Sequence, residues 1–356
     1  MSIIAARLHN QLLVDNKLTS ARAVVQHLGA VQSQEYPGAK WALAQRLPGV
    51  TNQKLDSLFN DGDILRTHVM RPTWHFLAPE DIRWMLELTA PRIEQLMSYY
   101  NRKLDLNRAL FDRTGHIIGR AVVGGNFLTR QEIAKILQSN GIETPTQRMG
   151  HIMMQAELDG VICSGPLRGR QFTYGLLSER APHAKRLGRD ESIALLAKRY
   201  FTSHGPATIQ DFAWWSGLTM TDAKLGVTLN KTLVTQRIND TAYWLSSDTK
   251  EAARIPHMLL LSVYDEYTIA YKDYSPVFPP HAQNLTKLLG NAWLNYVVIK
   301  DGCVIGSFRR LAKPKEMQLE FRLVVPITQA DKTHIQDAAE RYAAFFGLPP
   351  RISYAA

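Results

Sequence analysis

The stretch LTRQEIAKILQSNG, Leu128 to Gly141, decides the fold, because its pattern recurs. Thr129 caps a helix, Glu132 three residues on completes a capping box, and apolar residues follow at helical spacing. Gly141 stops the helix, since glycine takes the left-handed cap most cheaply. The same plan opens at Thr19 in LTSARAVVQHLG, Leu18 to Gly29, and at Thr208 in ATIQDFAWWSG, Ala207 to Gly217, where Asp211 stands in for the glutamate.

Each copy is followed by a second amphipathic helix and two short strand runs. After the second copy these are TQRMGHIMMQAELDG and VICSGPLRGRQFTYGL, with a turn at Gly165 to Gly169. After the third they are MTDAKLGVTLNKTL and VTQRINDTAYWLS, turning at Asn239-Asp240. After the first they are TNQKLDSLFNDG and ILRTHVMRPTWHFLA. Helix, turn, helix, hairpin is the winged-helix plan, and three units make chance a poorer explanation than for one. Generic α+β packing is the alternative.

The rest follows. PEDIRWMLELTAPRIEQLMSYYNRKL predicts a helical connector. Beyond His257, MLLLSVYDEYTIAY predicts a strand. AWLNYVVIKDGCVIGSFRRL predicts two strands joined at Asp301-Gly302, and EMQLEFRLVVP predicts another by its period of two. TQADKTHIQDAAERYAAFFG predicts a closing helix. The expected fold class is α+β: three tandem winged-helix units plus a C-terminal antiparallel, β-barrel-like subdomain with a closing helix. The expected boundaries are 1–80, 81–125 for the connector, 126–185, 186–250 and 251–356.

The 356 residues are 45% hydrophobic and 21% charged, which supports packed cores and argues against disorder. Lys and Arg exceed Asp and Glu by 42 − 32 = 10, which favours a polyanionic partner, nucleic acid before anionic lipid. Cys163 and Cys303 lie far apart in apolar runs and suggest neither a disulfide framework nor a metal site. The N-terminal run lacks a signal pattern, and no apolar run approaches ~18 residues, so the expected location is the cytoplasm, at the nucleoid. No heptad run signals a dimer, so a monomer is expected. No P-loop, dinucleotide fingerprint or Gly-x-Ser-x-Gly occurs, and no cofactor is expected.

GAVQSQEYPGAKWAL, RPTWHFLAPEDIRWML, HGPATIQDFAWWSGL, YDEYTIAYKDYS and VIKDGCVIGSFRR together resemble a bacterial family of tandem winged-helix proteins. That family includes DNA glycosylases that unhook interstrand crosslinks, relatives of an azinomycin-resistance glycosylase. Its glycosylases carry a catalytic Gln-x-Gln or Gln-x-Asp, and Gln32-Ser33-Gln34 resembles the first form. The middle position is usually aliphatic there; here it is Ser33. The resemblance implies a monofunctional DNA glycosylase acting on N7-alkylguanine in duplex DNA, crosslinked purines included.

Two neutral amides suffice for such a reaction. An N7-alkylated guanine already carries positive charge and leaves without being protonated. What remains is to hold a water against the anomeric carbon, and a glutamine carbonyl accepts from that water while its NH2 holds sugar or phosphate. In an extended segment positions i and i+2 share a side, so Gln32 and Gln34 are expected to converge. Glu35 is the rival, as base or as stabiliser of charge, or else a solvated surface residue.

RRLAKPK, with Arg309, Arg310, Lys313 and Lys315, reads as a phosphate clamp or as a solvated loop, and Arg168 and Arg170 crown the second wing. Arg71 and His75 belong to the segment that recurs in the family and are expected to line the lesion cleft, or His75 to be a satisfied core histidine. Trp214-Trp215 reads as core packing. Asp265 and Glu266, adjacent on the expected strand, face opposite sides and do not chelate a metal together. Two other readings remain: a non-catalytic winged-helix regulator, and a family member that only binds damaged DNA.

Overall fold

The structure is a computed structural model, and it describes residues 1–278 and 296–355. Three times the chain runs helix, short strand, helix, helix, hairpin. The first pass is α2 (Ala21–Leu28), β1 (Val31–Gln32), α3 (Tyr36–Arg46), α4 (Asn52–Asp61), β2 (Leu65–Val69) and β3 (Arg71–Leu77), after a leading helix α1 (Ile3–Asn10). β1 pairs beside the hairpin in the order β1-β3-β2, with Gln32 opposite His75.

A long helix α5 (Ile82–Lys103) then leads to α6 (Arg108–Val122), β4 (Leu128–Thr129), α7 (Arg130–Ser139), α8 (Thr146–Leu158), β5 (Ile162–Ser164) and β6 (Thr173–Leu176), ordered β4-β6-β5. After a turn of helix α9 (Leu177–Arg180) come α10 (Arg189–Ser203), α11 (Ile209–Ser216), α12 (Met220–Thr228), β7 (Leu233–Ile238) and β8 (Thr241–Ser246). Here the short strand shrinks to one bridge, Ala207 to Trp244. Asn239 and Asp240 both take positive φ, 45° and 61°, as the two-residue hairpin requires.

The alignment of the repeat differs from the sequence expectation. Leu18–Gly29 is the first helix of its unit, equivalent to α6 and α10, whereas Leu128–Gly141 and Ala207–Gly217 hold second helices, equivalent to α3. Ser20, not Thr19, caps α2 by accepting from the Ala23 N–H, while Thr129 and Thr208 do form capping boxes. α3 hides behind Tyr36-Pro37-Gly38, which reads as a break. Proline in the first turn is compatible with a helix start, and Glu35 caps it.

The C-terminal sheet is open, not barrel-like. Its order is β13-β12-β11-β10-β9, from β9 (Met258–Leu261), β10 (Val297–Lys300), β11 (Cys303–Ala312), β12 (Met317–Leu323) and β13 (Pro350–Tyr354). β13, unforeseen in the sequence, lies parallel to β12, so the sheet is mixed. The closing helix α14 (Gln329–Phe345) packs on it through Ile335, Ala339 and Tyr342. MLLLSVYDEYTIAY is not one strand: pairing ends at Leu261, and Asp265 caps the short helix α13 (Glu266–Ile269). The expected run at Ala292–Asn295 lies outside the described residues.

Two contacts fix the units against each other around β1. Arg46 forms a bidentate ion pair with Asp265 at 2.8 and 2.9 Å, both side chains fully buried, and Trp41 Nε1 donates to the Leu260 carbonyl at 2.7 Å. Gly217, at φ 72°, ends α11 against the β2–β3 turn, where an added Cβ would stand 2.2 Å from the Met70 carbonyl oxygen. The first unit thus shares one apolar core with the C-terminal sheet, and another with α5, α10 and α11.

Candidate active site

β1 is two residues long because Gln32 is the last to pair with β3; Ser33 N–H still donates to the Trp74 carbonyl at 2.7 Å, and the chain then bends into α3. The alternation that was to bring Gln34 to the side of Gln32 therefore stops at Ser33. Gln32 is buried, paired opposite His75. Its Oε1 accepts from Arg71 Nη2 at 3.2 Å and its backbone N–H donates to Glu266 Oε1 at 3.1 Å. Gln34 is exposed and lines a cavity of about 690 Å³ with Arg66 and Trp74. The two glutamines share no hydrogen-bond partner among the described residues.

Around Gln32, burial lowers the pKa of Arg71, and its guanidinium stands 5.7 Å over the Trp214 ring. Trp214 is 45% exposed while its neighbour Trp215 is buried, so the pair splits between surface and core. Burial, aided by the Arg71 charge, drives the His75 imidazole down to about 3. His75 is neutral at physiological pH, with Nδ1 against the Thr73 carbonyl at 3.1 Å.

Glu35 is half-buried, and both of its carboxylate oxygens are hydrogen-bonded. One oxygen accepts from the Gly38 N–H and from Tyr296 Oη at 2.9 Å; the other accepts from Arg310 Nη2 at 2.9 Å. Arg310 is correspondingly occupied, stacked over Tyr296 and Phe346 at 5.3 and 5.1 Å. RRLAKPK starts within the second strand of the β10–β11 hairpin and runs past its end. Arg309 and Arg310 lie in β11, which runs on to Ala312, and Lys313 and Lys315 lie in the turn into β12, both exposed, as is Arg309. Arg168 bonds Glu132 and the Phe127 carbonyl, whereas Arg170 lines the cavity.

The cavity lies between the first two units, which are clamped by Arg66 N–H to Ser164 Oγ at 2.8 Å and by His68 to Glu157. Its walls are Trp74, Phe172 and Tyr174 with Arg66, Arg130 and Arg170; no carboxylate lines it among the described residues. Sequence reasoning missed Arg66 and Arg130, and weighed Glu266 only as a metal ligand. Only RPTWHF and YDEY stood out near them, because each acts through a partner far along the chain. Asp265 and Glu266 serve Arg46 and Gln32, and among the described residues no group of His, Cys, Asp or Glu is arranged to hold a metal. No helix among those residues is long and apolar enough to cross a membrane.

The chain is thus a tandem helix-and-hairpin protein with an arginine-lined hollow between its first two units. A model of the DNA glycosylase AlkZ-like family matches residues 25–345, and the chain belongs to that family of N-glycosyl hydrolases. It is 27% identical over 363 residues to an interstrand DNA cross-link repair glycosylase of Streptomyces sahachiroi, covering 96% of this chain and 94% of that protein. The fold is similar to the solved structure of Streptomyces sahachiroi DNA glycosylase AlkZ, with TM-score 0.78, 22% identity, and 99% and 98% of the two chains covered.

Proposed function

We propose that this protein is a monofunctional glycosylase of N7-alkylguanine in duplex DNA, crosslinked forms included, and that Gln32 and Gln34 position the attacking water. The observation that carries the reading is Gln34 exposed on a hollow lined by three arginines, two residues from a Gln32 held by Arg71. Arg71 takes one lone pair of Gln32 Oε1 and leaves the second for water or sugar. A cationic base needs no proton to depart, and holding the nucleophile in place supplies up to about 7–11 kcal/mol in ideal cases. With His75 neutral and Glu35 bonded on both oxygens, the groups beside the glutamines are unsuited to acid–base work. The relative from Streptomyces sahachiroi, named for cross-link repair, supports extending the substrate to crosslinks.

The test is a duplex carrying N7-methylguanine or a nitrogen-mustard crosslink, incubated with protein and then treated with alkali. Strand breaks at the lesion are expected from the native protein and not from the Gln32→Ala/Gln34→Ala double variant. Equal breakage by both, or none above background from the native protein, overturns the reading.

A further inference from the structure

Arg66 is 6% exposed and has no carboxylate partner among the described residues. Its Nε donates to the Ser33 carbonyl at 3.1 Å, and its guanidinium lies between the Trp74 and Phe172 rings, 4.4 Å from each centroid. Both terminal nitrogens lack a hydrogen-bond partner among the described residues, yet the residue lines the cavity beside Gln34. The nearest acid, Glu157, is committed to His68, and burial brings the Arg66 pKa down to about 10. A buried cation left without a counter-charge is costly, and a rigid donor fork suits a paired-oxygen acceptor.

The surroundings repeat the sign. Arg130 and Arg170 line the same hollow with the hydroxyl-bearing Thr129, Thr144 and Thr146. α8 begins beside the cavity at Thr146 without a side-chain cap, and Arg130 donates to the Thr146 carbonyl at 2.8 Å. This charge rejects one candidate occupant, the base itself. An N7-alkylguanine is a cation, and three arginines repel it. An anion is drawn in.

We infer that this cavity is a phosphodiester site, in which Arg66, Arg130 and Arg170 hold a backbone phosphate flanking the lesion while the modified base lies elsewhere. The inference rests on the glycosylase reading for the nature of the strand but not on the role of the glutamines. Because Arg66 also holds the carbonyl of Ser33, the grip on the phosphate and the placement of Gln34 are one mechanical unit.

The experiment measures binding, not turnover, so it is independent of the alkali assay. The native protein, Arg66→Met and Arg170→Ala are titrated with duplexes bearing a stabilised N7-methylguanine, in which each phosphate near the lesion is replaced in turn by an uncharged methylphosphonate. One position is expected to weaken native binding about tenfold or more, and to have little further effect in either variant. The salt dependence of log Kd for Arg170→Ala should be shallower by about one phosphate contact. Arg170 is exposed, so its variant is informative even if Arg66→Met fails to fold. The same penalty in Arg170→Ala as in the native protein, or no sensitive position, overturns the inference. So does tight binding of inorganic phosphate in a parallel titration without a sensitive duplex position, which marks a site for free anions instead.

Discussion

The backbone N–H of Gln32 donates to Glu266 Oε1 across 234 residues of sequence. The other carboxylate oxygen accepts from Trp215 Nε1 at 2.8 Å and stands 3.4 Å from His204 Nε2. Burial raises the Glu266 pKa, but the nearby His204 imidazole and the hydrogen bond from the Gln32 N–H outweigh it and hold the group below the usual carboxylate value.

Glu266→Ala strands two buried donors, the Gln32 N–H and the Trp215 indole. The expected loss is about 2–5 kcal/mol in urea unfolding, with Glu266→Gln between it and the native protein. Because the folded pKa is depressed, this contribution is complete above the unfolded value of about 4.3 and vanishes as pH falls through the folded one. An alanine variant as stable as the native chain at pH 7 would contradict the anchoring role.

Burial with the Arg71 charge brings His75 down to about 3, so unfolding below neutrality takes up a proton there. Its contribution to stability is complete above about pH 6.5 and is lost as pH falls toward 3, at up to about 1.4 kcal/mol per pH unit. His75→Gln should flatten the difference between unfolding at pH 7 and pH 5, while His27 and His204, also depressed by burial, keep part of the slope. The single-turnover excision rate should carry no ionisation near pH 6.5; a bell there would return an acid–base role to His75 or a neighbour.

Ser33 is fully buried and its hydroxyl has no hydrogen-bond partner among the described residues. Removing an unsatisfied buried polar group is favourable, so Ser33→Ala should raise the Tm by an amount equivalent to about 1 kcal/mol and leave strand-break yield unchanged. A drop in Tm would mean that the hydroxyl has a use the fold does not display.

Arg309 and Arg310 should separate in kind. Arg310→Ala removes the partner of Glu35 and the contacts with Tyr296 and Phe346, and is expected to cost about 1–3 kcal/mol of stability. Arg309→Ala, at an exposed position, should leave the Tm within about 0.5 kcal/mol of native while weakening DNA binding at low salt. Calorimetry paired with fluorescence anisotropy distinguishes the two.

The legible parts of this chain were the local ones. Asn239-Asp240 and Asp301-Gly302 announce their turns because the chemistry sits in two adjacent residues, and both hairpins form there. The repeat was visible but misaligned, since a cap and a stopping glycine look alike on a first or a second helix, and Tyr36-Pro37-Gly38 conceals α3. At the site, the Gln-x-Gln segment stood out by resemblance. Its surroundings did not, because Glu266, Arg66 and Arg71 reach it only after the chain has folded back. The setting of Glu35 was hidden for the same reason: nothing local points to Arg310, 275 residues away.

The reach of Glu266 back to β1 also sets an order of assembly. A ribosome that has not passed codon 266 holds a chain whose glutamine strand lacks its fastening, and whose Arg46 lacks Asp265. A product that ends before residue 266 therefore presents the first two repeats with the backbone of β1 unfastened. The setting of β1 is thus a late event in synthesis, completed only when the YDEY segment has been made.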